Sequence, residues 1–271
     1  MGQRTGRIQG KTGRVGRYSQ IPVWAMVLLL LGWFSLAEAA HSAENAVQPM
    51  LSSGNGSPTT IVVGFVGGFV HRDDARHSEV QLARNLRTAY SERLRVATFQ
   101  NWHRQAAHKA ILRWLDTDED GSLSEAEKRN ARIVLYGHSW GGAAVISLAR
   151  DLQRESIPVL LTVQVDSIAK PGQNDGVIPA NVARAINFYQ TRGLLHGRTQ
   201  ITAADPARTQ ILGDYSFTYN QLPAECREYP WLTRHLFPGH TSIECDPHVW
   251  SQIESLIDKY SVETPSVAGL Q

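Results

Sequence analysis

The chain has no acidic residue before Glu38. Its first 20 residues carry Arg4, Arg7, Lys11, Arg14 and Arg17 instead. The formal net charge of +2 hides this asymmetry. Residues 1–39 hold five basic residues and one acidic residue, so the rest keeps 22 basic and 24 acidic, a net of −2. The body therefore lacks the basic excess of a nucleic-acid binder, and no nucleic-acid partner is expected. Internal repeats and long low-complexity tracts are also missing. What remains is a globular composition, 42% apolar and 19% charged, long enough at 271 residues for one large domain or two small ones.

Long apolar runs are scarce too. The one candidate, "IPVWAMVLLLLGWFSL", has about 16 residues, short for a hydrocarbon layer of about 30 Å. It follows the basic leader and precedes Ala37-Glu38-Ala39. Basic start, apolar middle and a small-residue site read as a secretory signal peptide over 1–39, cleaved after Ala39. The alternative is an uncleaved N-terminal anchor, the only membrane association expected. Either way the body is exported, periplasmic or secreted. Cysteine is equally scarce. Cys226 and Cys245 are the only two, and in an oxidising compartment a single pair reads as a disulfide.

Residues 40–58 are rich in Ser, Asn, Gly and Pro and read as a flexible lead-in. Residues 59–262 form the expected domain, and 263–271 a short tail. Within the domain, short apolar runs alternate with longer helical stretches. "TTIVVGFV", "RVATFQ", "RIVLYG" and "IPVLLTVQV" read as strands. "HSEVQLARNLRTAYSERL", "HRQAAHKAILRWL", "GGAAVISLARDLQ" and "HVWSQIESLIDKY" read as helices. "PANVARAINFYQ" reads as a helix feeding another short strand. The alternation predicts an α/β fold with a mostly parallel sheet covered on both faces. Chemistry in such sheets gathers at the carboxyl ends of the strands.

One strand ends in Gly137-His138-Ser139-Trp140-Gly141, a G-x-S-x-G pattern between an apolar strand and a helix rich in small residues. A sharp strand-to-helix turn of this kind exposes the serine hydroxyl, and small neighbours let the chains pass closely. With these flanks the chain resembles an α/β-hydrolase of the bacterial lipase and esterase type, in a compact version with little or no lid. The resemblance covers roughly residues 59–260 and implies a Ser-His-acid triad in the chain order Ser, acid, His. Ser139 is the expected nucleophile. The histidine should lie before the closing helix. "PGHTSIECDPHVW" offers His240, which precedes a loop in this reading, and His248; "TRHLF" offers His235. His240 is preferred, and the seven other histidines read as ordinary surface or core residues. Asp166 ends the strand after the elbow helix and is the preferred acid, with Asp205 as the alternative. The oxyanion donors are expected to be the Trp140 N–H and, from "VGFVGGFV", Val66 and Gly67.

A second motif is separate from the elbow. "DTDEDGSLSEAE" spans Asp116 to Glu127. Asp116, Asp118 and Asp120 take positions 1, 3 and 5 of a twelve-residue loop; Gly121 takes position 6, Ser122 position 7 and Glu127 position 12. It resembles an EF-hand calcium loop, which implies a structural Ca²⁺ with these residues as ligands. The helix after it is barely two turns, and there is one such loop where sensors pair them. The resulting expectation is an exported hydrolase of small-molecule or lipid carboxylic esters, needing no organic cofactor. A thioesterase, peptidase, acyltransferase, or non-catalytic calcium-stiffened binding module are the alternatives.

Overall fold

A computed structural model of the chain describes residues 59–262. The expected leader at 1–39, lead-in at 40–58 and tail at 263–271 lie outside the described residues. Chain order begins β1 (Thr60–Val66), α1 (Ser78–Ala89), β2 (Leu94–Gln100), α2 (Arg104–Leu115), α3 (Glu125–Arg129), β3 (Ile133–His138), α4 (Trp140–Arg154) and β4 (Val159–Val165). It continues through β5 (Val177–Ile178), β6 (Val182–Gln190), β7 (Thr202–Ala203), β8 (Gln210–Phe217), a 3₁₀ turn at Ala224–Glu228, α5 (Trp231–Leu236), α6 (Pro238–Cys245) and α7 (Pro247–Val262).

Six strands form one sheet in the order β2-β1-β3-β4-β6-β8, every pair parallel. β5 and β7 pair separately. β1, β3 and β4 bury every residue, as a sheet covered on both faces demands. Side chains alternate between two cores. Ile61, Val63, Ile133 and Leu135 pack with Ala107 and Ile111 of α2 and Val145 and Leu148 of α4. Val62, Val134 and Tyr136 pack on the other face with Leu82 and Leu86 of α1 and Ile253 and Ile257 of α7. The chain steps from β1 outward to β2, then returns to β3 and proceeds the other way. In α/β sheets ligands bind at such a reversal, at the carboxyl ends of the strands, and Ser139 follows the carboxyl end of β3 there. Among the described residues no helix is long and apolar enough to cross a membrane.

The structure differs from the sequence reading in three places. "PANVARAINFYQ" holds no helix; Val182–Gln190 is one nine-residue strand. Val182, Ala185 and Ile186 mimic helical spacing, but ladders to β4 and β8 on both sides outweigh that local pattern. β8 is an additional edge strand. His240 lies inside a helix rather than before a loop, because Pro238 starts α6 at the position where a proline is tolerated.

Candidate active site

The elbow is built from β3 and α4. Ser139 takes φ +56° and ψ −126°, a conformation costly for a residue with a side chain and held only by its surroundings. The flanking glycines are steric requirements. A Cβ on Gly137 would lie 2.6 Å from the Gly141 carbonyl carbon, and one on Gly141 would lie 2.2 Å from the Phe65 carbonyl oxygen. The backbone of the next strand clasps the turn. Ser139 N–H donates to the Val165 carbonyl at 2.9 Å, and Ile168 N–H donates to the Ser139 carbonyl at 3.1 Å. Asp166 stands between those two contacts, itself at φ +42°.

His240 Nδ1 is 2.6 Å from Asp166 Oδ2. The same oxygen accepts from the Gln190 amide at 2.8 Å, and Oδ1 accepts from Gly197 N–H at 2.6 Å. Burial alone would push the Asp166 carboxyl up. The hydrogen bond and charge of His240, with Gln190 and Gly197, hold it below the ordinary carboxylate value. Asp166 is fully buried, while Ser139 and His240 keep 7% and 8% exposure. With Nδ1 engaged, the His240 Nε2 is the nitrogen left for a proton from a reacting group. Among the described residues no hydrogen bond joins Ser139 to His240; such bonds often tighten only when substrate is bound.

The structure separates the alternatives. Asp205 accepts from Ala207 N–H at 3.0 Å in a turn. His235 is exposed and stacks on Trp231 with ring centroids 4.3 Å apart. His248 is exposed at the start of α7. Trp140 is the first residue of α4, where an N–H has no partner within the helix. Gly67 lies against the elbow, since a Cβ there would be 3.1 Å from Ser139 Cβ. Its N–H, however, points to Glu79 Oε1 at 3.3 Å, and Val66 ends the β1 ladder opposite Gln100.

Two groups of residues beside the elbow escaped the sequence reading. Phe69 and Trp102 have ring centroids 6.0 Å apart, Phe69 and Trp140 5.5 Å. Lys170 Nζ lies 4.9 Å from the Trp140 ring centre. Phe69 and Trp102 are exposed, so this aromatic rim is open to solvent. A weak signal was available, since Phe69 and Trp140 directly follow the glycine loop and the serine. The second group is buried. His138, the residue before the nucleophile, has its ring centroid 4.4 Å from that of His240. Around it lie His77, Glu79 and Glu244, all buried. Burial, then the Glu244 carboxylate, pushes Glu79 up to about 8. Burial pushes His138 down to about 4. No spacing in the sequence announced this cluster, because its members come from three distant segments.

The acidic loop has the shape a calcium site needs at its first positions. Oxygens of Asp116, Asp118 and Asp120 lie within 4.8 Å of one another. Asp116 Oδ1 is buried without a hydrogen-bond partner. Gly121 takes φ +84° and donates its N–H to Asp116 Oδ2 at 3.1 Å. Ser122 N–H and Oγ both bond Asp120 Oδ1. Glu127 is not gathered with the three aspartates. Its carboxylate accepts from Thr117 and Ser124 and closes a capping box at the start of α3, where orphan N–H groups attract an acceptor.

No family model and no curated protein matches the sequence. Solved structures similar to the chain include a hyperthermophilic esterase from the archaeon Pyrobaculum calidifontis, 13% identical with a TM-score of 0.41, over 78% of this chain and 80% of that one. A cutinase-like protein from Cryptococcus sp. is 14% identical with a TM-score of 0.38, over 79% and 100%. A dienelactone hydrolase from Anabaena variabilis is 13% identical with a TM-score of 0.37, over 75% and 85%. The functional reading rests on the chain's own geometry.

Proposed function

We propose that the chain is an exported serine hydrolase that cleaves carboxylic esters through an acyl-enzyme. The observation that carries this reading is the Asp166–His240 pair, bonded at 2.6 Å, beside a serine held at φ +56° on a strand-to-helix turn. Ser139 Oγ attacks the ester carbonyl while His240 Nε2 takes its proton. His240 then protonates the departing alcohol. A water, deprotonated by the same nitrogen, releases the acid and restores Ser139. Asp166 keeps the imidazole in the tautomer with the proton on Nδ1 and stabilises it when charged. The Trp140 N–H, at a helix start, faces the developing oxyanion, with a second donor from the turn after β1. The open rim of Phe69, Trp102 and Trp140 suits an apolar part of the ester.

Export is supported by the bridge between Cys226 and Cys245, since disulfides persist in oxidising compartments. A structural Ca²⁺ is assigned to Asp116, Asp118, Asp120, the Ser122 carbonyl and, after turning from its cap, Glu127. It lies on the connection from α2 to β3 and takes no part in the chemistry.

Initial rates on p-nitrophenyl esters of increasing chain length, in calcium, test the reading. Activity is expected in the protein and lost in Ser139→Ala, and the chain-length profile separates esterase from lipase. A folded protein inert on every ester moves the assignment to a peptidase or a binding module.

A further inference from the structure

His77, Glu79, His138 and Glu244 form a cluster the hydrolase reaction does not use. All four are buried. Each of His77, Glu79 and Glu244 offers a ligand atom within 4.8 Å of the others. His138 completes the group, with Nδ1 3.5 Å from Glu244 Oε2 and 3.8 Å from Glu79 Oε1. His77 Nδ1 is 2.5 Å from Glu244 Oε1. Several donors here have nothing to bond. Glu79 Oε2 and both ring nitrogens of His138 are buried without a partner. Leaving such atoms unsatisfied in a dry site is costly, and two carboxylates side by side compound the cost. A single dication would bind one ring nitrogen of His138 and offset the charge of both carboxylates.

We infer that His77, Glu79, His138 and Glu244 form a binding site for a divalent transition-metal ion of the Zn²⁺ class. The donor set of the four residues is two imidazoles and two carboxylates, which suits zinc better than calcium. A tetrahedral zinc with bonds of about 2.0–2.2 Å sets its ligands about 3.3–3.6 Å apart, close to the separations at His138. Asp74 Oδ2 lies 3.9 Å from His77 Nε2, longer than a hydrogen bond but on the side where metal-bound histidines commonly have an outer carboxylate. Four protein ligands close the shell, so the ion is structural. Its role follows from what it joins. His77 immediately precedes α1 and Glu79 lies in its first turn. His138 is the last residue of β3. Glu244 is one helical turn beyond His240 on α6. The ion would therefore pin the helix carrying the proposed base to the elbow carrying the nucleophile.

The test is direct binding to the purified full chain, stripped with a chelator, checked for fold by circular dichroism and held in saturating Ca²⁺. ZnCl₂ is titrated by calorimetry and CoCl₂ by absorption. One Zn²⁺ per chain is expected, with the intense visible bands of tetrahedral Co²⁺. Glu79→Gln and His77→Gln should each weaken Zn²⁺ binding by more than about 100-fold, a larger loss than outer-shell changes give. Asp120→Asn, in the calcium loop, should leave it unchanged. A folded wild-type chain that takes up neither Zn²⁺ nor Co²⁺ overturns the inference. So does an affinity unchanged in the variants, which would put the ion elsewhere. Should Glu79→Gln not fold, the more conservative His77→Gln decides. These readouts do not depend on ester cleavage, so failure here and failure of the hydrolase reading are distinguishable.

Discussion

Asp166 shows what one side chain must do here. Its carboxylate receives hydrogen bonds from three directions, His240, Gln190 and Gly197, so its oxygens cannot swing away from the imidazole. Asp166→Asn would keep the shape but let an amide N–H face His240, favouring the wrong tautomer. A loss of about 10⁴-fold in kcat is expected, the size seen when a triad aspartate is made neutral, with KM little changed; steady-state kinetics on a p-nitrophenyl ester checks it. Stability carries a second signature. The folded carboxyl titrates below its ordinary value. Its contribution is thus complete above the unfolded value of about 3.9 and fades as pH falls through the lower folded value. Urea melts should show the wild-type advantage over Asp166→Asn at pH 6 shrinking below about pH 4. At this scale much was legible in the sequence. Ser139, Asp166 and His240 stand out because their chemistry ties them to strand and helix ends. Gln190 did not, since a segment read as a helix feeding a short strand gives no hint that its last residue ends level with Asp166. Glu79 and Glu244 did not either, because burial of a carboxylate depends on packing that no local pattern records.

Elements were read best where the period was long and clean. α4 and α7 run for 15 and 16 residues, and β1, β3 and β4 are nearly continuous apolar runs, so each announced itself. β6 was mistaken in part because nine residues can satisfy two periodicities, and the choice was made by its neighbours in the sheet. β8 was missed because it is an edge strand with polar and glycine positions. The acidic loop is the opposite case, read residue by residue from the spacing a calcium ion would demand of its ligands. There the structure adds that Glu127 caps α3 while Asp116, Asp118 and Asp120 converge. Calcium should therefore draw Glu127 from its cap and join α2 more firmly to β3. At about 100 times the dissociation constant, the ion stabilises by about 2.7 kcal/mol. For a domain of this size that raises Tm by about 5–10 °C. Scanning calorimetry with calcium and with a calcium-selective chelator measures it. Asp120→Asn should abolish most of the shift, and no shift at millimolar calcium would remove the ion from the account.

Across the whole molecule, the pieces of the proposed site arrive from distant parts of the chain, and the part that brings His240 has the least sheet behind it. Ser139 and Asp166 stand at the ends of buried strands. His240 rides on α6, eight residues long, after the exposed helix α5, whose Trp231, Leu232 and Leu236 face solvent. The Cys226–Cys245 bridge ties α6 to the 3₁₀ turn before it, with Cα atoms 5.4 Å apart and a sequence separation of 19. Cys245 lies one residue after Glu244 and five after His240, so the covalent tie acts on the same helix that the zinc-class ion would hold. In the chain-entropy view, closing a loop of this length stabilises by about 3 kcal/mol, or about 6–12 °C in Tm. The Cys226→Ala/Cys245→Ala double variant should melt lower by that amount. Its activity at 25 °C distinguishes two roles for the bridge. If the bridge positions His240, kcat falls well before the melt while KM for a short ester stays, because the aromatic rim belongs to other segments. If kcat is unchanged until the protein melts, the bridge is general reinforcement and the position of His240 is secured without it, by the packing and the inferred ion that hold α6.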